Sequence, residues 1–163
     1  MQTKLLLVLA FITSSSAFAA ERMGPGHGVG PAHPSAYLCS SLKGKTINVY
    51  TDAGEFSICR LELAEVSTMG LWYYLKVGIE KADAVFLEHP EAQGPAARNP
   101  EDYCRFVGGR VEVVMIRRES GKIKTCLFDT DGDRSRIGLN TLFRGPSHPG
   151  NAQLAKLLQK AKR

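Results

Sequence analysis

Apolar positions along this chain change their period in two places that match. Around Pro34 and Pro100 the spacing is that of a short helix, each proline suiting a first helical turn and Asn99 making a good cap for the second. Gly44 ends one of these helices and Gly108-Gly109 the other. β-Rich runs follow at Thr46 to Tyr50 and Glu55 to Leu61, and again at Val111 to Ile116 and Lys122 to Phe128, each pair joined across a turn containing Gly54 or Gly121. These runs predict two antiparallel hairpins. Helical spacing returns at Met69 to Lys76 and at Ile137 to Arg144, so each half reads helix, strand, strand, helix. With the cysteines aligned, Ile47 and Val49 fall out of phase with Val111 and Val113, which predicts a bulge or a register difference between the halves.

Glycines and cysteines carry the same repeat. Cys39 is followed by Gly44, Gly54, Cys59 and Gly70-Leu71; Cys104 is followed by Gly109, Gly121, Cys126 and Gly138-Leu139. Such spacing indicates a duplicated unit. The predicted fold class is α+β, with two tandem small helix-strand-strand-helix units, each an antiparallel hairpin covered by short helices and stapled by a disulfide. Units of about 45 residues are too small to rely on a core alone, so a staple from helix to second strand has a physical purpose. Four cysteines permit three connectivities. The duplication favours Cys39 with Cys59 and Cys104 with Cys126, each bridge contributing roughly 3 kcal/mol by loop-closure entropy. The resulting organisation is a signal peptide at 1–19, a Gly/Pro-rich leader at 20–32, a degenerate first unit at 33–87, a linker at 88–98, a second unit at 99–145 and a basic amphipathic C-terminal helix at 146–163.

The N-terminal segment sets the compartment. Lys4 precedes the apolar run Leu5 to Ile12, and a small-residue stretch ends in Ala17-Phe18-Ala19, the pattern of a secretory signal cleaved near Ala19. The run is shorter than the roughly 20 apolar residues of a membrane span. An even cysteine count in an exported chain reads as structural disulfides, and no C-x-x-C pair suggests zinc. The expected location is periplasmic or secreted.

One run in the second unit resembles a known family. Asn99-Pro100-x-x-Tyr103-Cys104, Gly108-Gly109, Glu112, Gly121, Cys126-Leu127-Phe128, Asp131-Gly132 and Leu142-Phe143-Arg144-Gly145 resemble the small cysteine-containing bacterial domain often labelled a haemolysin, a family of uncharacterised function. The first unit keeps Pro34, Tyr37, Cys39, Gly44 and Cys59 of that pattern. Members commonly carry further cysteines after the Asp-Gly turn and after Phe-Arg-Gly, and this chain has neither. The resemblance brings no catalytic residue with it.

Candidate chemistry is sparse. His27, His33, His89 and His148 all sit beside Pro or Gly in predicted leaders or loops, where a catalytic base is poorly positioned. Without a G-x-S-x-G elbow, an H-E-x-x-H helix or a spare cysteine, nucleophilic and zinc hydrolase chemistry lacks its usual footing. No catalytic residue is therefore assigned, and the expected protein is not an enzyme. Asp129, Asp131 and Asp133 resemble the opening of a calcium loop, but Arg134, Arg136 and Asn140 occupy positions that such a loop gives to Gly, an apolar residue and Glu. An ordinary Asp-Gly turn is the competing reading, and no cofactor is otherwise expected.

Charge and aromatic residues supply the remaining candidates for a partner surface. Of the formal net charge of +5, Lys4 leaves with the signal, and Lys156, Lys160, Lys162 and Arg163 account for the excess that stays. Leu154, Ala155, Leu158 and Ala161 share one stripe of that C-terminal helix, with Lys156, Lys160 and Arg163 on another. Packing on the domain is the expectation; contact with anionic membrane is the rival. Trp72-Tyr73-Tyr74 is the densest aromatic patch, read as a helix with Trp72 inward and at least one Tyr at the surface. The sequence reading is an exported, non-catalytic binding or interaction module of the bacterial cell envelope, its partner an envelope protein, glycan or small molecule. A membrane-associated protein and an uncharacterised periplasmic enzyme are the alternatives, and export argues against nucleic acid.

Overall fold

The computed structural model describes residues 33–161 apart from 79, 118 and 130–133. The predicted signal peptide and leader, with His27, and also Asp131, Asp133 and Arg163, lie outside the described residues. Each half of the chain begins with a helix and three strands. The first has α1 (Pro34–Ser41), β1 (Lys45–Thr51), β2 (Gly54–Leu61), β3 (Ala64–Ser67) and α2 (Thr68–Val77). Next comes α3 (Lys81–Glu88). The second half follows with α4 (Pro100–Phe106), β4 (Arg110–Ile116), β5 (Lys122–Leu127), β6 (Arg136–Gly138) and α5 (Leu139–Arg144), and α6 (Ala152–Ala161) comes last.

The α+β class and both hairpins are as expected, but the two units are not separate. All six strands close into one antiparallel barrel in the order β1-β2-β3-β6-β5-β4. The short third strands, absent from the sequence reading, make this closure: Val66 pairs with Ile137 across one seam, while Val49 and Tyr50 pair with Ile116 and Met115 across the other. A two-stranded hairpin leaves one face bare, and pairing two of them removes that problem without a large core in either.

Register relates the halves residue by residue. Thr46 pairs with Cys59 and Val111 with Cys126; Cys59 then pairs with Val66 and Cys126 with Ile137. Thr46 therefore corresponds to Val111, Ile47 to Glu112, Val49 to Val114, and Val66 to Ile137. The expected bulge is absent from both hairpin ladders. Ladder parity turns Val111 and Val113 outward, leaving Val113 exposed, and sends Glu112, Val114 and Ile116 inward beside Ile47 and Val49. The sequence mismatch arose because a carboxylate occupies an inward position of β4. Arg136, the counterpart of Glu65, meets it there: its Nε donates to Glu112 Oε2 at 2.7 Å, and its guanidinium lies 4.2 Å from the Phe56 ring centre. The barrel interior is thus Ile47, Val49, Ile58, Val114, Ile116 and Ile123, with Phe56 and this ion pair.

A second, larger cluster lies outside the barrel wall. Cys59, Val66, Ile137 and Cys126 face the helices together with Leu71, Phe86, Leu142, Leu154 and Leu158. Cys39–Cys59 and Cys104–Cys126 join α1 to β2 and α4 to β5 with Cα separations of 5.6 and 5.7 Å, the connectivity the duplication favoured. They also explain one repeated glycine. A Cβ on Gly109 would lie 3.1 Å from Cys104 Sγ and closer still to Cys126 Sγ, and one on Gly44 would lie 2.8 and 2.7 Å from Cys39 and Cys59 Sγ, so each bridge needs bare backbone beneath it.

Two sequence correspondences dissolve in the structure. Gly138 precedes α5 as Ser67 precedes α2, so Leu142 matches Leu71, and Gly70-Leu71 is not the counterpart of Gly138-Leu139. Tyr103 is buried and donates its hydroxyl to Pro90 O at 3.0 Å, whereas Tyr37 is 75% exposed. Aligning the bridged cysteines puts Tyr37 opposite Asp102, one residue of helix away from Tyr103, and about 100° around the helix axis.

Candidate functional site

A groove of 560 Å³ lies between the start of α4, β5, α5 and the β2–β3 turn. Its lining comes from four places: Asn99 and Glu101 at the start of α4, Lys122 to Lys124 on β5, Leu139, Asn140, Thr141 and Arg144 on α5, and Arg60, Leu63 and Glu65 around the β2–β3 turn. Local sequence fixes each. Asn99 caps α4, its Oδ1 accepting from Glu101 N at 2.9 Å, with Pro100 at the first turn. Thr141 Oγ1 accepts from Glu65 N at 3.0 Å and ties α5 to β3. Asn151, fully buried, donates to Thr141 O at 2.9 Å and Gly145 O at 2.7 Å, holding the far end of α5.

Electrostatically the groove carries four cations and two carboxylates. Arg60 Nε donates to Glu65 Oε1 at 2.9 Å, and Lys124 Nζ to Glu101 Oε1 at 2.6 Å. The Lys124 hydrogen bond and charge hold the Glu101 carboxyl below its usual range, so Glu101 stays ionised at neutral pH. Among the described residues no carboxylate lies within ion-pair distance of Lys122 or Arg144, which leaves the groove an excess of positive charge.

Backbone groups also face this space. Ile116 N donates to Gly121 O at 3.0 Å, so by strand parity the odd-numbered residues of β5 turn their amides toward β4, and Lys122 and Lys124 turn theirs the other way. On that side β6 pairs only with Thr125, Cys126 and Leu127. The ladder therefore ends with the Lys124 carbonyl engaged by the amide that follows Gly138, and leaves both backbone groups of Lys122 and the N–H of Lys124 without a strand partner on the groove side.

The matching place in the first unit is chemically different. Counterparts of Lys122, Ile123 and Lys124 are Glu55, Phe56 and Ser57; those of Arg60 and Arg144 are Leu127 and Tyr73. None of the four cations is conserved between halves. Glu55 is paired with Arg117 at 2.9 Å, and Ser57 O accepts from the Thr68 hydroxyl at 3.2 Å. Leu139 replaces Thr68 in the second unit and has no hydroxyl to offer Lys124.

The residues singled out from sequence do not converge here. Asp129 is exposed with Arg134 Nε at 3.9 Å, and among the described residues no group of three or more metal-binding side chains forms. In α2 it is Tyr74 that is buried, while Trp72 is half-buried and Tyr73 38% exposed, reversing the expected inward Trp. Burial pushes the Tyr74 phenol up, with the charges of Asp83 and Glu88 adding to it. Lys156 and Lys160 are exposed on α6, whose Leu154, Ala155 and Leu158 pack into the outer core. His33 caps α1 through Nδ1, His148 caps the turn before α6, and His89 meets Phe143 O at 3.2 Å, so the described histidines are part of the scaffold. Sequence reasoning missed Arg60, Lys122, Lys124 and Asn140 as a set. Lys-Ile-Lys alternation on a predicted strand was the available signal, since it puts two lysines on one face.

Comparison with protein-family models, with curated proteins and with solved structures finds no match for this chain. No helix among the described residues is long and apolar enough to cross a membrane. The two disulfides are of a kind that persists in an oxidising compartment.

Proposed function

We propose that the protein is an exported, non-catalytic binding module of the bacterial cell envelope and that its ligand sits in the groove of the second unit. The observation that carries this is the divergence of two equivalent places on the duplicated scaffold: one carries Lys122, Lys124 and Arg144 of the second half with Arg60 of the first, and the other has Glu55, Ser57, Tyr73 and Leu127 at the corresponding positions. Structural demands of the barrel are shared by both places and do not account for a charge set present at only one of them. Export is supported by Lys4, the Leu5 to Ile12 run and Ala17-Phe18-Ala19, in keeping with the bridges.

A binding rather than a catalytic role is supported by the lining itself. No histidine, cysteine or serine is among the groove residues, both carboxylates are engaged by cations, and the Thr141 hydroxyl oxygen is taken by Glu65 N. An ionised carboxylate held by lysine is a poor proton donor at neutral pH. The membrane-associated alternative has less support, because α6 buries Leu154, Ala155 and Leu158 of the stripe that would have entered a bilayer.

The test is retention of purified mature protein by peptidoglycan, by anionic liposomes and by envelope protein extract. Three forms are compared: wild type, Lys122→Glu with Arg144→Glu, and Lys156→Glu with Lys160→Glu. Retention by one fraction that is lost on reversing the groove charges is the expected result. Loss only with the α6 variant would move the function to the membrane reading, and retention by none would overturn the proposal.

A further inference from the structure

Resting on that reading, we infer that the groove's ligand is an acidic peptide segment in extended conformation, which adds as a short strand to the open edge of β5. Three features converge. First, β6 stops opposite Thr125, so both backbone groups of Lys122 and the N–H of Lys124 point toward the groove without a strand partner, while the Lys124 carbonyl closes the ladder at the Thr125–Gly138 pair. Exposed edges of this kind recruit extended chains through main-chain hydrogen bonds. Second, Lys122 and Lys124 flank that edge on one face while Ile123 lies between them on the other, within the apolar barrel cluster. A strand laid alongside presents its side chains with the same period of two, so its best partner has the pattern acidic, apolar, acidic. Third, Arg144, without an ion pair among the described residues, adds charge on the α5 side.

The first unit shows what an occupied edge looks like. There the carbonyl of Ser57, counterpart of Lys124, is satisfied by the Thr68 hydroxyl. The second unit has Leu139 instead, with no hydroxyl to cover the edge, and leaves the backbone of Lys122 for an external chain. A volume of 560 Å³ lies within the range of about 300–1,000 Å³ usual for small-ligand sites and admits a segment of a few residues.

The probe is the blocked pentapeptide Glu-Val-Glu-Val-Glu, titrated into the full mature protein by calorimetry and amide NMR. Three companions accompany it: the Gln-Val-Gln-Val-Gln analogue, a version with alternate backbone amides N-methylated, and trigalacturonate as an acidic saccharide of equal charge. Binding of the acidic peptide with shifts centred on the Lys122 to Lys124 amides is expected. Both the uncharged and the N-methylated analogues should bind roughly tenfold more weakly or worse, the first for lost ion pairs and the second for lost ladder bonds. Lys122→Glu with Arg144→Glu, both exposed positions, should lower affinity similarly while leaving the thermal midpoint in place. Equal binding of the N-methylated peptide or of trigalacturonate would overturn strand addition, as would indifference to the charge reversal. Failure of the peptide to bind, with groove-dependent retention by an envelope fraction intact, would refute this ligand and leave the binding-module reading standing.

Discussion

Replacing Glu112 by isoleucine would leave the Arg136 guanidinium inside the barrel without its carboxylate. The pair is nearly sealed, with side-chain exposures of 9% for Arg136 and 12% for Glu112. Breaking such a pair typically costs about 3–5 kcal/mol, because the surviving charge keeps its desolvation penalty. Arg136 would retain Arg134 O at 3.1 Å and the Phe56 ring at 4.2 Å, so the lower figure, about 3 kcal/mol, is expected. Arg136→Met strands Glu112 instead and should cost about the same. The double change Glu112→Ile with Arg136→Met gives β4 the residue that Ile47 supplies at the matching place in β1, and should cost no more than about 1 kcal/mol. Urea unfolding of the four disulfide-intact proteins, followed by circular dichroism at one pH, measures the cycle, with equal slopes licensing comparison of midpoints. A coupling of about 5 kcal/mol is expected, the difference between the summed single effects and the double. Single effects that add to within about 0.5 kcal/mol of the double would refute the claim that these two charges hold one another inside the barrel.

Gly109→Ala should prevent clean closure of Cys104–Cys126, since its methyl would occupy the space of Cys126 Sγ; free-thiol titration of the folded product and a loss of about 3 kcal/mol or more check it. Tyr103→Phe should cost about 1 kcal/mol at neutral pH through the lost bond to Pro90 O. Burial also raises the Tyr103 phenol, so the fold favours its protonated form; that contribution is complete below about pH 10 and is lost as pH rises above it. Alkaline unfolding should accordingly be shallower in Tyr103→Phe, and identical alkaline profiles would contradict the assignment. Leu158→Ala on α6 should cost about 2–5 kcal/mol, while Lys156→Gln with Lys160→Gln should stay within about 0.5 kcal/mol; thermal melts that reverse this order would return α6 to a surface role.

Local elements were legible in the sequence because local chemistry specifies them. Pro34 and Pro100 mark helix starts, Gly54 and Gly121 mark hairpin turns, and the repeated cysteine spacing points to the bridges that form. The closing strands were not legible. Ala64–Ser67 and Arg136–Gly138 are four and three residues long, too short for alternation to register, and the pair that closes the barrel, Val66 with Ile137, joins residues more than 70 apart. Glu112 misled for a related reason: a carboxylate on a strand reads as outward, and only the tertiary placement of Arg136 makes an inward one tolerable. The groove escaped notice because Arg60, Asn99, Lys124 and Asn140 come from separate elements, and each alone reads as an ordinary surface residue.

Short third strands have a further consequence that ties the fold to the proposed function. β2 is longer than β3, and β5 longer than β6, so closing the barrel by duplication necessarily exposes two stretches of strand edge. An open edge invites indiscriminate pairing, including with other copies of the same chain. The first unit answers by engaging its edge carbonyl with Thr68 and placing Phe56 over Arg136. The second answers with lysines, and in a chain of net charge +5 that choice discriminates. Two such edges brought together would set lysine against lysine, whereas an acidic strand would meet complementary charge at both flanking positions. The residues that keep this edge from associating with itself are therefore the ones that would select its ligand, so Lys122→Gln with Lys124→Gln should lose preference for the acidic peptide and gain concentration-dependent self-association in the same experiment.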